Sequence, residues 1–203
     1  MPSIKPNFTP RKLVLGEGLE EVRVFTAMLK HLGIRDITVE HYGGKDNLSR
    51  FLENLLARAN FAQLVSLGIT RDADASGEDA FRSVCGALEK AGLPKPSEPG
   101  VIADGKPKVT VLVLPDGKAQ GMLEDVCLGS VAGDGAVKCL DAFFECVEVE
   151  ANRKPVQMSK ARVHAWLATQ TEPDKRLGEA AECGFWDWGH AAFEPLKRFL
   201  QEI

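Results

Sequence analysis

Asp72 and Asp74 stand two residues apart at the end of an apolar run, Leu64-Val65-Ser66-Leu67-Gly68-Ile69-Thr70. If a strand carries through both, alternation puts their carboxylates on one side of the chain. Paired carboxylates repel unless a proton or a cation lies between them, and a hard divalent ion such as Mg²⁺ or Mn²⁺ resolves that conflict with oxygen ligands. Glu17 holds a similar place after Lys12-Leu13-Val14-Leu15-Gly16, and Glu21 follows one helical turn later. After a third apolar run, Val109 to Leu114, comes Gly121-Met122-Leu123-Glu124-Asp125. Parallel strands bring their C-terminal ends to one edge of a sheet, where ligands bind in open α/β folds. Up to three carboxylate clusters there suit one or two divalent ions and in-line phosphoryl transfer. Taken alone, Asp-x-Asp is a short pattern, and acids before a helix serve equally as dipole partners.

Other residue types bear on the same chemistry. Arg153, Lys154, Lys160 and Arg162 form the one dense basic segment, which reads either as a phosphate-tracking patch or as a solvated helix face. Lys45 and Arg71, next to the glycine pair Gly43-Gly44 and to Asp72, are further candidates for contact with nucleic acid. Gly43-Gly44 reads as a turn after a strand or as a place of close approach to a phosphate. Trp186 and Trp188 are expected in the core rather than stacked on bases. His164 and His190 have no second histidine at metal spacing, so a structural role is expected for each.

The positioning elements follow from apolar spacing. Residues 1–11, with three prolines, read as a flexible arm. Strands are predicted at Lys12–Gly16, Ile37–Tyr42, Leu64–Thr70 and Val109–Leu114. The helices between them carry Val22, Phe25, Leu29 and Leu32; Leu48, Phe51, Leu52 and Leu55; and Phe81, Val84, Cys85 and Leu88. Asp46 or Asn47 is expected to cap the second helix, and Ser76 with Asp79 the third. Pro94 to Pro107 reads as a surface excursion or a pair of turns. From about residue 120 the pattern is helical. The fold class is therefore α/β: a mostly parallel βαβ sheet of about four strands, residues 12–130, flanked by helices, with a helical extension, 131–203, on the same domain.

A chain of 203 residues, 44% hydrophobic and 27% charged, builds its own core without cross-links. No apolar run reaches membrane-spanning length, and the N-terminus lacks a signal-peptide core, so a cytoplasmic protein is expected. The five cysteines contain no C-x-x-C pair and are expected as reduced core residues. A net charge of −4 gives no global attraction for nucleic acid, so such binding needs a local basic patch.

The string Leu13-Val14-Leu15-Gly16-Glu17-Gly18, then a helix, then Ile69-Thr70-Arg71-Asp72-Ala73-Asp74, resembles the Toprim domain of topoisomerases, bacterial primases and small nucleases. The likeness covers about residues 12–130. With Gly43-Gly44-Lys45-Asp46-Asn47-Leu48 and Gly184-Phe185-Trp186-Asp187-Trp188, the layout is similar to free-standing Toprim-like proteins near the OLD-family nucleases. The resemblance implies Mg²⁺ or Mn²⁺ held by Glu17, Asp72 and Asp74, with Glu17 also a general acid or base. It further implies Glu21 and Glu124 as acids toward a second ion, and Lys160 as the catalytic lysine. The chain departs from the pattern at Gly16 and Leu19, and it has no G-x-x-x-x-G-K-[ST] loop. The implied function is a nuclease-like phosphoryl-transfer enzyme acting on DNA or RNA. The alternatives are a Toprim-like binding module working with a separate ATPase or defence partner, and a phosphohydrolase of small molecules.

Overall fold

The computed structural model describes residues 10–117 and 120–203. Chain order is β1 (Lys12–Gly16), α1 (Leu19–His31), β2 (Ile37–His41), α2 (Leu48–Leu56), β3 (Ser66–Asp72), α3 (Gly77–Lys90), β4 (Ile102–Ala103) and β5 (Lys108–Leu114). There follow α4 (Leu123–Ser130), α5 (Gly135–Ala151), α6 (Met158–Leu167), α7 (Leu177–Glu182) and α8 (Glu194–Glu202). One five-stranded sheet has the order β2-β1-β3-β5-β4, parallel except for β4 against β5. The expected arm, 1–11, lies outside the described residues save Pro10 and Arg11. The Arg11 carbonyl accepts hydrogen bonds from the amides of Val65 (2.7 Å) and Ser66 (3.3 Å). Among the described residues no helix is long and apolar enough to cross a membrane.

Alternation in the strands divides two cores. Leu13, Leu15, Leu67, Ile69, Val109, Val111 and Val113 point to the face covered by α2 and α3, joined there by Leu52, Leu55, Val84 and Leu88. Val14, Leu112 and Leu114 point to the other, joined by Val24, Phe25 and Met28 of α1 and by residues of α4, α6, α7 and α8. Trp186 and Trp188 lie in this second core as expected, Trp186 stacked on Trp166 at 4.9 Å between ring centroids. Gly68 is what lets α8 lie on β3: a Cβ there would come within 2.6 Å of Ile203 and 2.7 Å of Phe199.

Several expectations need correction. β4 falls inside the 94–107 segment, which reads in the sequence as a surface excursion or a pair of turns, and adds a fifth strand to the mostly parallel sheet of about four that was expected. Val22 is only half-buried; α1 turns Val24 and Met28 inward beside Phe25 and Leu29. Asn47 does not cap α2: a 3₁₀ turn, Lys45–Asn47, leads into that helix, and the Asn47 amide turns back to the Gly43 carbonyl. Of the cysteines, Cys85 and Cys127 are buried, while Cys139, Cys146 and Cys183 are exposed; all five are free thiols.

Candidate active site

The order of the sheet creates a crevice. From β1 the chain moves outward to β2, then crosses back to β3 on the other side of β1, so the connections diverge between β1 and β3. Glu17 leaves the end of β1, and Asp72 is the last residue of β3. The register pairs Leu15 with Ile69, so two residues further on Glu17 lies across from Arg71.

Glycines let these elements meet. A Cβ on Gly16 would lie 2.6 Å from the Glu21 Cβ, so only glycine allows α1 to fold back over the end of β1. Glu21, the third residue of α1, is buried; its Oε2 accepts the Gly18 N–H at 2.9 Å, the returning arm of an N-terminal cap. Across the crevice, Gly43 and Gly44 at φ 80° and 98° both donate backbone N–H groups to the Glu17 carbonyl, at 3.1 and 3.0 Å. Residue types other than glycine rarely hold that conformation.

A cleft of about 430 Å³ opens here, lined by Glu17, Gly18, Glu20, Glu21, His41, Gly43, Gly44, Asp72, Glu124 and Lys160, with Leu19 at its rim. The first turn of α4 supplies Glu124, and the Leu123 amide of that turn donates to Asp72 Oδ1 at 3.0 Å. The first turn of α6 supplies Lys160. Burial, reinforced by Glu21, Glu124 and Glu17, pushes the Asp72 carboxyl up to about 8. Burial likewise raises Glu21 and Glu124, against which the Lys160 ammonium pulls downward. Asp125 plays a different part: Oδ2 accepts the Met122 N–H at 2.8 Å and Oδ1 the Ser159 hydroxyl at 2.5 Å, tying α4 to α6.

Glu17, Glu21, Asp72, Glu124 and Lys160 are thus brought together. Asp74 is not among the lining residues. β3 ends at Asp72, Asp74 takes a left-handed backbone (φ 51°), and its N–H and C=O pair with Gly121. Strand alternation therefore does not reach it. Its half-exposed carboxylate faces Lys45 at 3.7 Å.

Arg71 corrects another expectation. It is only 8% exposed, so it cannot track a phosphate chain. Its guanidinium Nη1 lies 3.6 Å from Glu17 Oε2, and it reaches the hydroxyl of buried Tyr42, which donates to the Thr70 carbonyl at 2.9 Å. Arg71 Nε and Glu17 Oε2 are buried without a hydrogen-bond partner. Arg153 and Lys154 are exposed in the loop before α6, with Lys154 paired to Glu148, and Arg162 is paired to Asp141; none of the three lines the cleft. His190 caps a 3₁₀ turn through Nδ1, as a structural role requires. His164 instead opens onto a second cavity beside Lys160.

The donors fit a hard divalent cation: every acid in the cleft offers oxygen, and Glu17 Oε2, with only the Arg71 guanidinium at 3.6 Å, accepts no hydrogen bond. Among the described residues, no three His, Cys, Asp or Glu side chains converge as a ready coordination set. Holding an ion therefore requires rotation of the acidic side chains.

Residues 11–203 match the family described as protein of unknown function (DUF3226). No curated protein matches the chain. Among solved structures, it is similar to the C-terminal region of the Xanthomonas campestris pv. campestris OLD protein at 15% identity, with a TM-score of 0.43, over 97% of this chain and 100% of that one. A second structure of the same region gives 16% identity and a TM-score of 0.42 over 95% of both chains.

Proposed function

We propose that this chain, which belongs to the DUF3226 family, is a divalent-metal-dependent phosphoryl-transfer enzyme acting on nucleic-acid phosphodiesters. The observation that carries the reading is the meeting of Glu17, Glu21, Asp72 and Glu124, with Glu20 also on the wall, and one lysine in a cleft at the switch point of the sheet. The Toprim-like order of Glu17 and Asp72 in the sequence agrees with it.

Glu17, Asp72 and Glu124 would hold the ion, with Glu21 beside them. Mg²⁺ or Mn²⁺, when bound, supplies Lewis-acid activation of the phosphoryl oxygen and of the attacking water. Arg71 fixes Glu17 from behind, and the Leu123 amide fixes Asp72, so the two acids face the cleft from adjacent strand ends. Lys160 places a positive charge where the leaving oxygen gathers negative charge. Buried surroundings strengthen that interaction relative to water. Asp74 stands outside the cleft lining, its carboxylate 3.7 Å from Lys45.

Calorimetric titration of Mn²⁺ into wild type, Asp72→Asn and Asp74→Asn tests the site. Binding lost in Asp72→Asn and weakened less than about tenfold in Asp74→Asn is expected, a difference of under about 1.4 kcal/mol for the latter. Incubation of single- and double-stranded DNA and RNA with Mg²⁺ or Mn²⁺ then tests the activity. Metal binding without cleavage of any of these, together with capture of an ATPase partner, would replace the enzyme with a binding module.

A further inference from the structure

Beside the acidic cleft lies a second cavity of about 380 Å³, lined by Glu20, Glu124, Lys160, Val163, His164, Arg176 and Leu177. The two share Glu20, Glu124 and Lys160, so they are contiguous. The balance of the lining changes between them. The first side adds Glu17, Glu21 and Asp72 to the shared residues; the second adds no further acid, only His164 and Arg176 beside Val163 and Leu177.

Among the described residues, none of these three basic side chains is tied up in an ion pair. Neighbouring basic groups are consumed in ion pairs: Arg23 with Glu179, Arg162 with Asp141, Lys175 with Glu172. Among the described residues, no carboxylate lies within ion-pair distance of Lys160, His164 or Arg176. Glu179, which feels the Arg176 charge, has one oxygen on Arg23 and the other on the Arg176 backbone amide. Glu20 is also occupied, its Oε2 taking the Gly178 N–H at 2.6 Å. Lys160 and His164 are four residues apart on α6 and so project from one face of it. Arg176 approaches from the start of α7. Val163 and Leu177, both buried, form an apolar floor. Cations over an apolar floor hold an anion more strongly than the same cations in open water.

We propose that this cavity is an anion subsite that takes a phosphate group of the nucleotide next to the scissile bond, with its sugar over Val163 and Leu177. The inference rests on the phosphodiester reading above and adds to it which side of the cleft the substrate enters. His164 and Arg176 are the residues it assigns; Lys160 stands between the two compartments and serves both. The volume is of the order that a mononucleotide fills, toward the small end of ligand pockets.

The test is titration of adenosine 5′-monophosphate, inorganic phosphate and adenosine into the full chain in EDTA, read by calorimetry and by the His164 ring signals in NMR. Wild type should bind the monophosphate and inorganic phosphate, bind adenosine at least tenfold more weakly than the monophosphate, and shift the His164 signals. Arg176→Ala and His164→Gln should each weaken the monophosphate about tenfold or more, the scale of a lost charge-assisted hydrogen bond. Both side chains are exposed, so the variants should fold, with unchanged thermal midpoints as the check. No binding by wild type in EDTA or with Mg²⁺ present would overturn the subsite, as would equal binding by the His164→Gln/Arg176→Ala double variant. Because the EDTA arm needs no metal, failure of the acidic cleft to bind Mn²⁺ would sink the catalytic reading and leave the subsite standing.

Discussion

The two faces of the sheet are built from similar strands but do different work. On one, α2 and α3 close an apolar core to which the strands contribute Leu13, Leu15, Leu67, Ile69, Val109, Val111 and Val113. On the other, α1 and the C-terminal helices cover Val14, Leu112 and Leu114, and those same helices carry Glu21, Glu124, Lys160 and His164 to the rim, with Arg176 just ahead of α7. The second face thus gathers carboxylates close to its core, whereas buried Tyr42 and Arg71 beside the first are a phenol and a guanidinium. Two purposes compete on the second face: packing rewards apolar contact, while a site needs charge held away from water. The comparison predicts that core damage on the first face changes stability alone, and that changes at the rim of the second move stability and ligand binding together.

The largest effect on stability should come from the first face. Leu52 is fully buried in α2, and Leu52→Ala should cost about 2–5 kcal/mol, the range for deleting a buried leucine side chain. Divalent-ion affinity of the folded fraction should be unchanged. Denaturant melts with calorimetry on the same samples check both; a parallel loss of ion binding would mean that the two faces are mechanically coupled.

Gly16→Ala should do less to stability and more to the site. The new Cβ would meet the Glu21 Cβ at 2.6 Å, a contact between one backbone-fixed atom and another, so α1 must move off β1. Overpacking of this kind costs about 1–3 kcal/mol. Glu21 and Glu17 would shift with the helix, and Mn²⁺ binding should weaken although no ligand has been changed. A Gly16→Ala protein with native ion affinity would show that the glycine serves packing alone.

This glycine also marks where sequence reasoning ran out. The strands and helices were legible because their signals are local: apolar runs, Ser76 before α3 with its hydroxyl accepting the Asp79 N–H, and glycines at the ends. Gly16 itself read as a departure from a family pattern, since the reason for it is a helix that returns over the strand. The acids at the strand ends were legible for the same local reason, and Glu17, Glu21, Asp72 and Glu124 do share a cleft. Asp74 was misplaced because a bridge to Gly121, far along the chain, ends the strand before alternation can reach it. Arg71 read as a surface cation because it adjoins acids in the sequence; only the β1–β3 register puts Glu17 across from it. Arg176 had no signal at all, since its cavity is assembled from α1, α4, α6 and α7. For His164 the one available hint was its spacing of four from Lys160.

Neutralising a rim acid should raise the stability of the metal-free protein, the opposite sign to both substitutions above. Asp72→Asn keeps the shape and an acceptor for the Leu123 amide while removing a carboxyl that burial, with Glu21, Glu124 and Glu17, forces to keep its proton in the folded chain. The expected gain is about 1 kcal/mol or a few degrees in thermal midpoint for a chain of this size, measured in EDTA. A lower midpoint would mean that the Asp72 carboxylate is stabilised where it stands and that the four acids do not oppose one another.

The smallest effect is the one that reads the rim most directly, the pH dependence of stability without metal. Asp72 titrates near 8 in the folded protein, far above the ordinary carboxylate value, and Glu21 and Glu124 are displaced in the same direction. The folded chain therefore keeps protons that the unfolded chain releases, and stability must fall as pH rises. The stabilisation is complete below the ordinary carboxylate value near about 4, and it is lost progressively as pH climbs to about 8. One group contributes at most about 1.4 kcal/mol per pH unit within that window. Thermal melts in EDTA between about pH 5 and about pH 8 should slope downward, and Asp72→Asn should flatten them. Mg²⁺ should raise the midpoint more at the alkaline end than at the acid end, because protons and the ion compete for the same oxygens. On the first face the groups displaced by burial, Tyr42 and Cys85, are pushed above their ordinary alkaline values and out of this window, so Leu52→Ala should shift the whole curve down without changing its tilt. If its tilt changes as well, the division of labour between the faces is wrong.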